Sequence, residues 1–458
     1  MKNTCVLGLV LCGFLAPATA APIDRADAAL ASTFGPQYSQ SSLPARPKLK
    51  KGTDALHRWN QIAIDASGYD HANAREQLGP GRASRAMAIV HIAMFDAMNA
   101  VTGDFEGYMD VESPRGNISL DAAIAQAAHD TLVPLFPSQA THLHSLLNEE
   151  LSSIKDGRQK SRGVLLGSRA ADALMILRVE DGSEIKEPLV GTEHPTSPMP
   201  GHWRQDPVSL IPLALGAYWS KCAPFVIESS QQFRAPPFPA MTSPEYAAAY
   251  DEVKRLGGDG VQTPTERTAD QTLAGIYWAY DGTPSLCAPP RLFNQIAVRI
   301  ADQKGTTGIE LARLLVLVNV AMSDATLTCW ESKYYYDVWR PVTGIRESDV
   351  GTGPMGLGDG NDATLGDTNF FPLGAPASNL TGPNFTPPFP AYPSGHATMG
   401  GALFQTLRRF YGTDQIAFTF VSDELNGVTK DNAGNPRPLI PRSFDSLSQA
   451  EEENGQSR

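Results

Sequence analysis

The sequence predicts an all-α protein, and three observations lead there. Apolar residues recur at helical spacing over most of the chain, and no segment sustains a period-2 strand alternation. Between the helical stretches lie segments rich in proline and glycine. Apolar residues make up 42% and charged residues 19% of the 458, a globular composition with ample material for a core.

In chain order, residues 1–20 read as a signal peptide. Lys2 supplies a positive start, residues 5–15 are apolar, and Ala18-Thr19-Ala20 offers a small-residue cleavage site. The expectation is a secreted or periplasmic protein cut near Ala20. No membrane anchor is expected, because no later segment reaches eighteen uncharged apolar residues. Residues 21–52, rich in Ala, Ser and Pro, are expected to form an extended arm. Residues 53–240 are assigned to an N-terminal helical bundle and its connector.

Within that bundle, residues 84–101 (SRAMAIVHIAMFDAMNAV) are apolar almost all round, as a helix buried inside a bundle would be. His91, in its middle, reads as a hydrogen-bonded core histidine. Further helices are expected at 120–135, 138–154 and 160–178, followed by a Pro-, Gly- and Trp-containing connector at 187–242. Residues 241–458 form the second expected unit, with helices at 243–257, 266–280, 290–303 and 307–340. A long Gly/Pro/Asn loop, 343–392, follows, and loops of that length are usually functional or disordered.

Several patterns are set aside. GTGPMG (351–356) matches a dinucleotide-binding spacing but contains a proline and follows no strand. His142 and His144, two apart, would point to different sides of a helix. Asp359, Asp362 and Asp367 lack calcium-loop spacing and read as a solvated loop. The net charge of −12 excludes a generally basic, nucleic-acid-binding surface, so any anion site must come from a local cluster of cations. Beyond the signal segment remain Cys222, Cys287 and Cys329, which allow one disulfide and one thiol without fixing a pairing. No cysteine-based metal site is expected.

Two segments carry chemistry. In WESKYYYDVWRP (330–341), a continuous helix would bring Lys333 and Arg340, seven apart, back to one face, with Trp330 beside them. Asp337 between them could make this an ordinary surface ion network. In FPAYPSGHATMGG (389–401), Ser394 can cap a helix that starts near His396. Its free N–H groups would then face an anion, with His396 placed to exchange a proton.

Lys-x6-Arg-Pro followed by Pro-Ser-Gly-His resembles the motif pair of the type 2 phosphatidic-acid phosphatase and vanadium haloperoxidase superfamily. WAYDG (278–282), PPRLFNQI (289–296) and PPFPAYPSGHAT (387–398) resemble segments of vanadium-dependent chloroperoxidases. The resemblance implies two helical bundles, with the active site in the second. It implies that Lys333, Arg340, Ser394 and Gly395 hold vanadate, or phosphate in the same site. His396 would be the acid–base residue, and Lys333 would polarise peroxide. Asp281 would pair with an anion-binding arginine, and Trp330 and Phe389 would line a halide pocket. The implied reaction oxidises halide with hydrogen peroxide to hypohalous acid, which acts on an organic acceptor, with no redox change at the metal.

The family's third motif runs Ser-Arg, five residues, then the histidine that ligates vanadate. Ser457-Arg458 would be its first two residues, which makes Arg458 a further anion ligand, loosely held at the terminus. The histidine is not among the 458 residues. The expectation is therefore a second bundle incomplete at its C-terminus and impaired halide oxidation. An acid phosphatase using the same cradle, and a non-catalytic oxyanion-binding remnant, stand as alternatives.

Overall fold

The computed structural model describes residues 22–43, 45–46, 48–49 and 54–458. The expected signal peptide lies outside the described residues. In order, the elements are α1 (Pro22–Phe34), β1 (Ser39–Gln40), α2 (Ala55–Ala72), α3 (Gly79–Thr102), α4 (Leu120–Leu135), α5 (Ala140–Ser153) and α6 (Arg158–Leu177). After the connector come α7 (Pro244–Gly257), α8 (Ala269–Tyr277), α9 (Pro289–Lys304), α10 (Gly308–Tyr336), α11 (Pro341–Glu347), β2 (Leu380–Thr381), α12 (Gly395–Tyr411), β3 (Phe418–Asn426), β4 (Leu439–Phe444) and α13 (Leu447–Gln456).

The molecule is mainly helical, as its patterning predicts. α10 is its axle: 29 residues long, it packs against α3 on one side and α12 on another. By length and composition it would suffice to cross a membrane, but its apolar window is mostly buried inside the bundle. α3, buried from Ala83 to Asn99, packs on α4 and α6. His91 is a core residue, bonded to the Met87 carbonyl at 2.7 Å and to Asn60 Oδ1 at 2.9 Å. One continuous apolar cluster runs from Ala55 to Ala450 and spans both expected units.

Several expectations need correction. Residues 22–34 are helical rather than extended, because Leu30 and Phe34, one turn apart, bury against Leu380 and Phe385 of the distant loop. β1 then pairs with β2 of that loop. An antiparallel hairpin, β3–β4, was not expected at all. Cys222, Cys287 and Cys329 are three buried free thiols, with no disulfide between them. Asp359 is buried rather than solvated, and accepts from Thr364 Oγ1 and the Asn361 N–H.

The correction with most consequence concerns α10. It ends at Tyr336, where Asp337 turns left-handed at φ 51° and closes the helix through its N–H to the Lys333 carbonyl. Arg340 is therefore not on the Lys333 helix face but at the N-cap of α11. Asp337 pairs with His202 at 2.8 Å, so no surface ion network joins it to the two cations.

Candidate active site

Lys333 is 1% exposed, in the last turn of α10. Its ammonium donates to the Pro390 and Ala391 carbonyls at 2.9 and 3.1 Å. Arg340 donates from Nε to the Phe389 carbonyl at 2.7 Å and from Nη2 to that of Pro387 at 2.9 Å. The sharp turn after Tyr336 thus achieves by another route what a continuous helix would have done. Both cations converge on the segment that leads into α12. Their charged ends flank the Phe389 ring, with Lys333 Nζ 5.0 Å and Arg340 Cζ 4.7 Å from its centroid.

Ser394 is the N-cap of α12 and accepts from the Ala397 N–H. Gly395 opens the helix against Trp330: a Cβ there would lie 3.1 Å from the indole. His396 follows, 9% exposed. Its Nε2 lies 2.5 Å from the Ala279 carbonyl, which can only accept, so Nε2 carries the proton. In the neutral ring Nδ1 is then left with its lone pair. Burial, then the charges of Arg458, Lys333 and Arg340, hold the imidazole well below its usual pKa.

Arg458 is exposed at the end of the described residues. Its Nη1 lies 3.1 Å from Asp281 Oδ2 and its Nη2 3.3 Å from the Gly275 carbonyl. The Asp281 side chain is 5% exposed, 3.9 Å from His396 Nε2, and burial raises its pKa against the pull of Arg458 and Arg340. Trp330 and Phe389 pack edge to face, centroids 4.9 Å apart, with Lys333 Nζ 5.7 Å from the Trp330 ring. All nine residues singled out in the sequence meet in one region.

Sequence reasoning missed how the connector and the C-terminal helix hold the site. The Leu215 carbonyl accepts from Trp330 Nε1 at 3.1 Å and from the Tyr334 hydroxyl at 3.0 Å, and the Leu215 N–H donates to Pro388. From α13, buried Asn454 donates to the His396 carbonyl at 2.9 Å. Leu215 contributes only backbone, which has no sequence signal. Asn454 was detectable only as a polar residue on the buried face of its helix.

The local charge balance is positive. Lys333 is buried, Arg340 half-buried and Arg458 exposed; Asp281 acts on Arg340 and Arg458, and Asp206 on Arg340 as well. Burial lowers Lys333 to about 7 and lowers Arg340 to about 10 against the pull of Asp281 and Asp206. Such a cradle fits a compact polyvalent oxyanion, and vanadate or phosphate meets that requirement.

The helical fold thus brings a buried lysine, a half-buried arginine, a buried histidine and an aromatic pair together in one region. Comparison with known proteins identifies the family. Residues 313–458 match the model of the vanadium chloroperoxidase (VCPO) second helical-bundle domain. The vanadium chloroperoxidase of Curvularia inaequalis is 30% identical over 490 aligned residues, covering 89% of this chain and 77% of that protein. Among solved structures, the first bacterial vanadium-dependent iodoperoxidase superposes with a TM-score of 0.66 at 21% identity, over 90% of this chain and 91% of that one. A holo-type bacterial vanadium-dependent chloroperoxidase gives 0.56 at 16% identity, over 83% and 86%. The chain belongs to the vanadium haloperoxidase family.

Proposed function

We propose that this protein is an exported enzyme that binds vanadate at the Lys333–Arg340–His396 cradle and oxidises halide with hydrogen peroxide. The observation that carries the reading is the convergence of buried Lys333 and half-buried Arg340 on the segment leading into α12 and His396, beside Arg458 and against an aromatic wall. Bound vanadate would supply an electrophilic, expandable oxyanion centre that activates peroxide toward halide.

The chain's own residues do the rest. Lys333, Arg340 and Arg458 would hold the oxyanion's oxygens, and the Ser394 hydroxyl and Gly395 N–H would close the cradle. Fixed by their carbonyl partners, Lys333 and Arg340 stabilise developing negative charge without reorganising. His396 accepts a proton at Nδ1 when peroxide is deprotonated and returns it to the leaving hypohalite. Trp330 and Phe389, packed on each other, would exclude water from the halide's approach. Asp281 fixes the orientation of Arg458. A phosphatase reading shares the cradle but gives this aromatic wall no task.

Binding is the decisive readout, since it depends only on residues already described. Orthovanadate titrated into the protein should bind and raise its thermal midpoint, and Arg340→Ala should weaken binding roughly tenfold to a hundredfold. Unchanged affinity in that variant would sink the assignment. Halogenation of monochlorodimedone with peroxide, beside hydrolysis of p-nitrophenyl phosphate, separates the two chemistries. Hydrolysis without halogenation would overturn the haloperoxidase reading.

A further inference from the structure

The surroundings of His396 make it a poor base. Burial and the charges of Arg458, Lys333 and Arg340 push its pKa down, and the hydrogen bond to the Ala279 carbonyl works against them. What holds that carbonyl therefore matters. The residue after it, Tyr280, is aromatic yet sits in the left-handed region at φ 46°, a strained conformation that its surroundings must enforce. Its hydroxyl accepts from the Asp423 N–H at 2.6 Å and donates to Gln295 Oε1 at 3.0 Å. Three residues earlier, the Tyr277 carbonyl accepts from Ser422 Oγ at 2.7 Å. β3 thus grips this segment at both ends.

The Ala279 carbonyl and the Tyr280 N–H belong to one peptide group. That peptide is trans, so the two point in opposite directions. On one side the oxygen accepts from His396 Nε2, and on the other the N–H donates to Glu424 Oε1 at 3.2 Å. Glu424 is fully buried on β3, and its Oε2 accepts from Ser378 Oγ and Arg437 Nη1, each at 2.6 Å. Each of these three neighbours is a donor, so the arrangement suits an ionised, acceptor-only carboxylate. Asp281, the other carboxylate near Glu424, is drawn toward Arg458 and Arg340. An anion that accepts from an amide N–H pushes electron density onto the amide oxygen, and hydrogen bonds in series strengthen one another.

We propose that Glu424 is a positioning residue for His396, acting through the Ala279–Tyr280 peptide. It fixes and polarises the carbonyl that keeps the proton on Nε2, which leaves the Nδ1 lone pair free and more basic. Ser378 and Arg437 hold the carboxylate in line. The use of Nδ1 in proton transfer rests on the function proposed above, but the coupling of Glu424 to the ring does not.

The test uses the full chain without vanadate or peroxide, labelled with nitrogen-15 in histidine and observed by NMR at neutral pH. The His396 signals are assigned by their loss in His396→Gln. The wild type should show His396 protonated at Nε2. In Glu424→Gln, which keeps the shape and removes the charge, the Nε2-bound proton should shift upfield as its bond to Ala279 weakens. His91, bonded elsewhere in the core, should not shift. Should that variant not fold, Glu424→Gln combined with Arg437→Met removes both charges of the buried pair and carries the same test. An unmoved His396 proton, an equal shift at His91, or an Nδ1-protonated ring in the wild type would overturn the coupling. A His396 that responds to Glu424 in a protein that never halogenates would leave the coupling standing and remove the function proposed for the cradle.

Discussion

Lys333 sits where its charge is least comfortable, which makes it a sensor of its own ligand. Burial lowers it to about 7, so at neutral pH the empty site is only partly protonated there. A bound oxyanion restores the opposite charge and pulls the pKa back up, so binding takes up a proton above pH 7. Affinity should fall as pH rises through and beyond 7, by up to about tenfold per unit, with titration calorimetry in buffers of different ionisation enthalpy detecting the uptake. A flat profile would show that Lys333 does not face the anion. Gly395 is tested separately. In Gly395→Ala the new methyl meets the Trp330 ring at 3.1 Å, so either the indole or the first turn of α12 must shift. A stability loss of about 1–3 kcal/mol in urea, with weakened vanadate binding, is expected. At this scale the sequence was informative: Lys333, Arg340, Ser394, Gly395 and His396 fall in two short motifs, and the resemblance of that motif pair to a known superfamily groups them. Their geometry was less legible, because no residue type announces that Asp337 will turn left-handed and end the helix early.

Elements decide how firmly His396 is held. α13 packs along α12, and its Asn454 donates to the His396 carbonyl while Glu453 accepts from Trp278 Nε1 at 2.9 Å and Arg442 Nε at 2.9 Å. Asn454→Ala removes the donor to a buried carbonyl and should destabilise by about 1–3 kcal/mol in chemical denaturation. Asn454→Asp, similar in shape but lacking that donor, should not restore it. α13 follows the hairpin that the sequence concealed. β3 buries Ser422 and Glu424 completely, the latter paired with Arg437, so its inward side does not read as an apolar alternation. α1 was concealed differently: it is short and Ala-rich, and its buried residues are met by a loop some 350 positions away.

Across the whole molecule, a buried charge ties the two expected bundles together. Arg291, on α9 and 6% exposed, reaches Asp65 and the Ile64 carbonyl on α2 at 2.9 and 2.7 Å and Asp423 on β3 at 2.9 Å. Removing one member of such a set strands the others without compensation, at a cost of about 3–5 kcal/mol. The continuous core from Ala55 to Ala450 points the same way: neither half buries its apolar surface without the other. Calorimetry of the wild type should therefore give a single unfolding transition. Arg291→Met should lower that transition or split it into two. Two well-separated transitions in the wild type would contradict the shared core. Acid adds a second handle on the same unit. Burial depresses His91, in the middle of α3, from 6.5 to about 4. Above pH 6.5 it is neutral in both states and contributes nothing. Below that, the unfolded chain takes the proton first, so stability falls by roughly 1.4 kcal/mol per pH unit until the folded pKa is reached. His91→Gln removes the titrating group, so its stability should decline less steeply between pH 6.5 and 4. If α3 joins both halves through α10, the wild-type decline should appear in the one shared transition rather than in a separate N-terminal one.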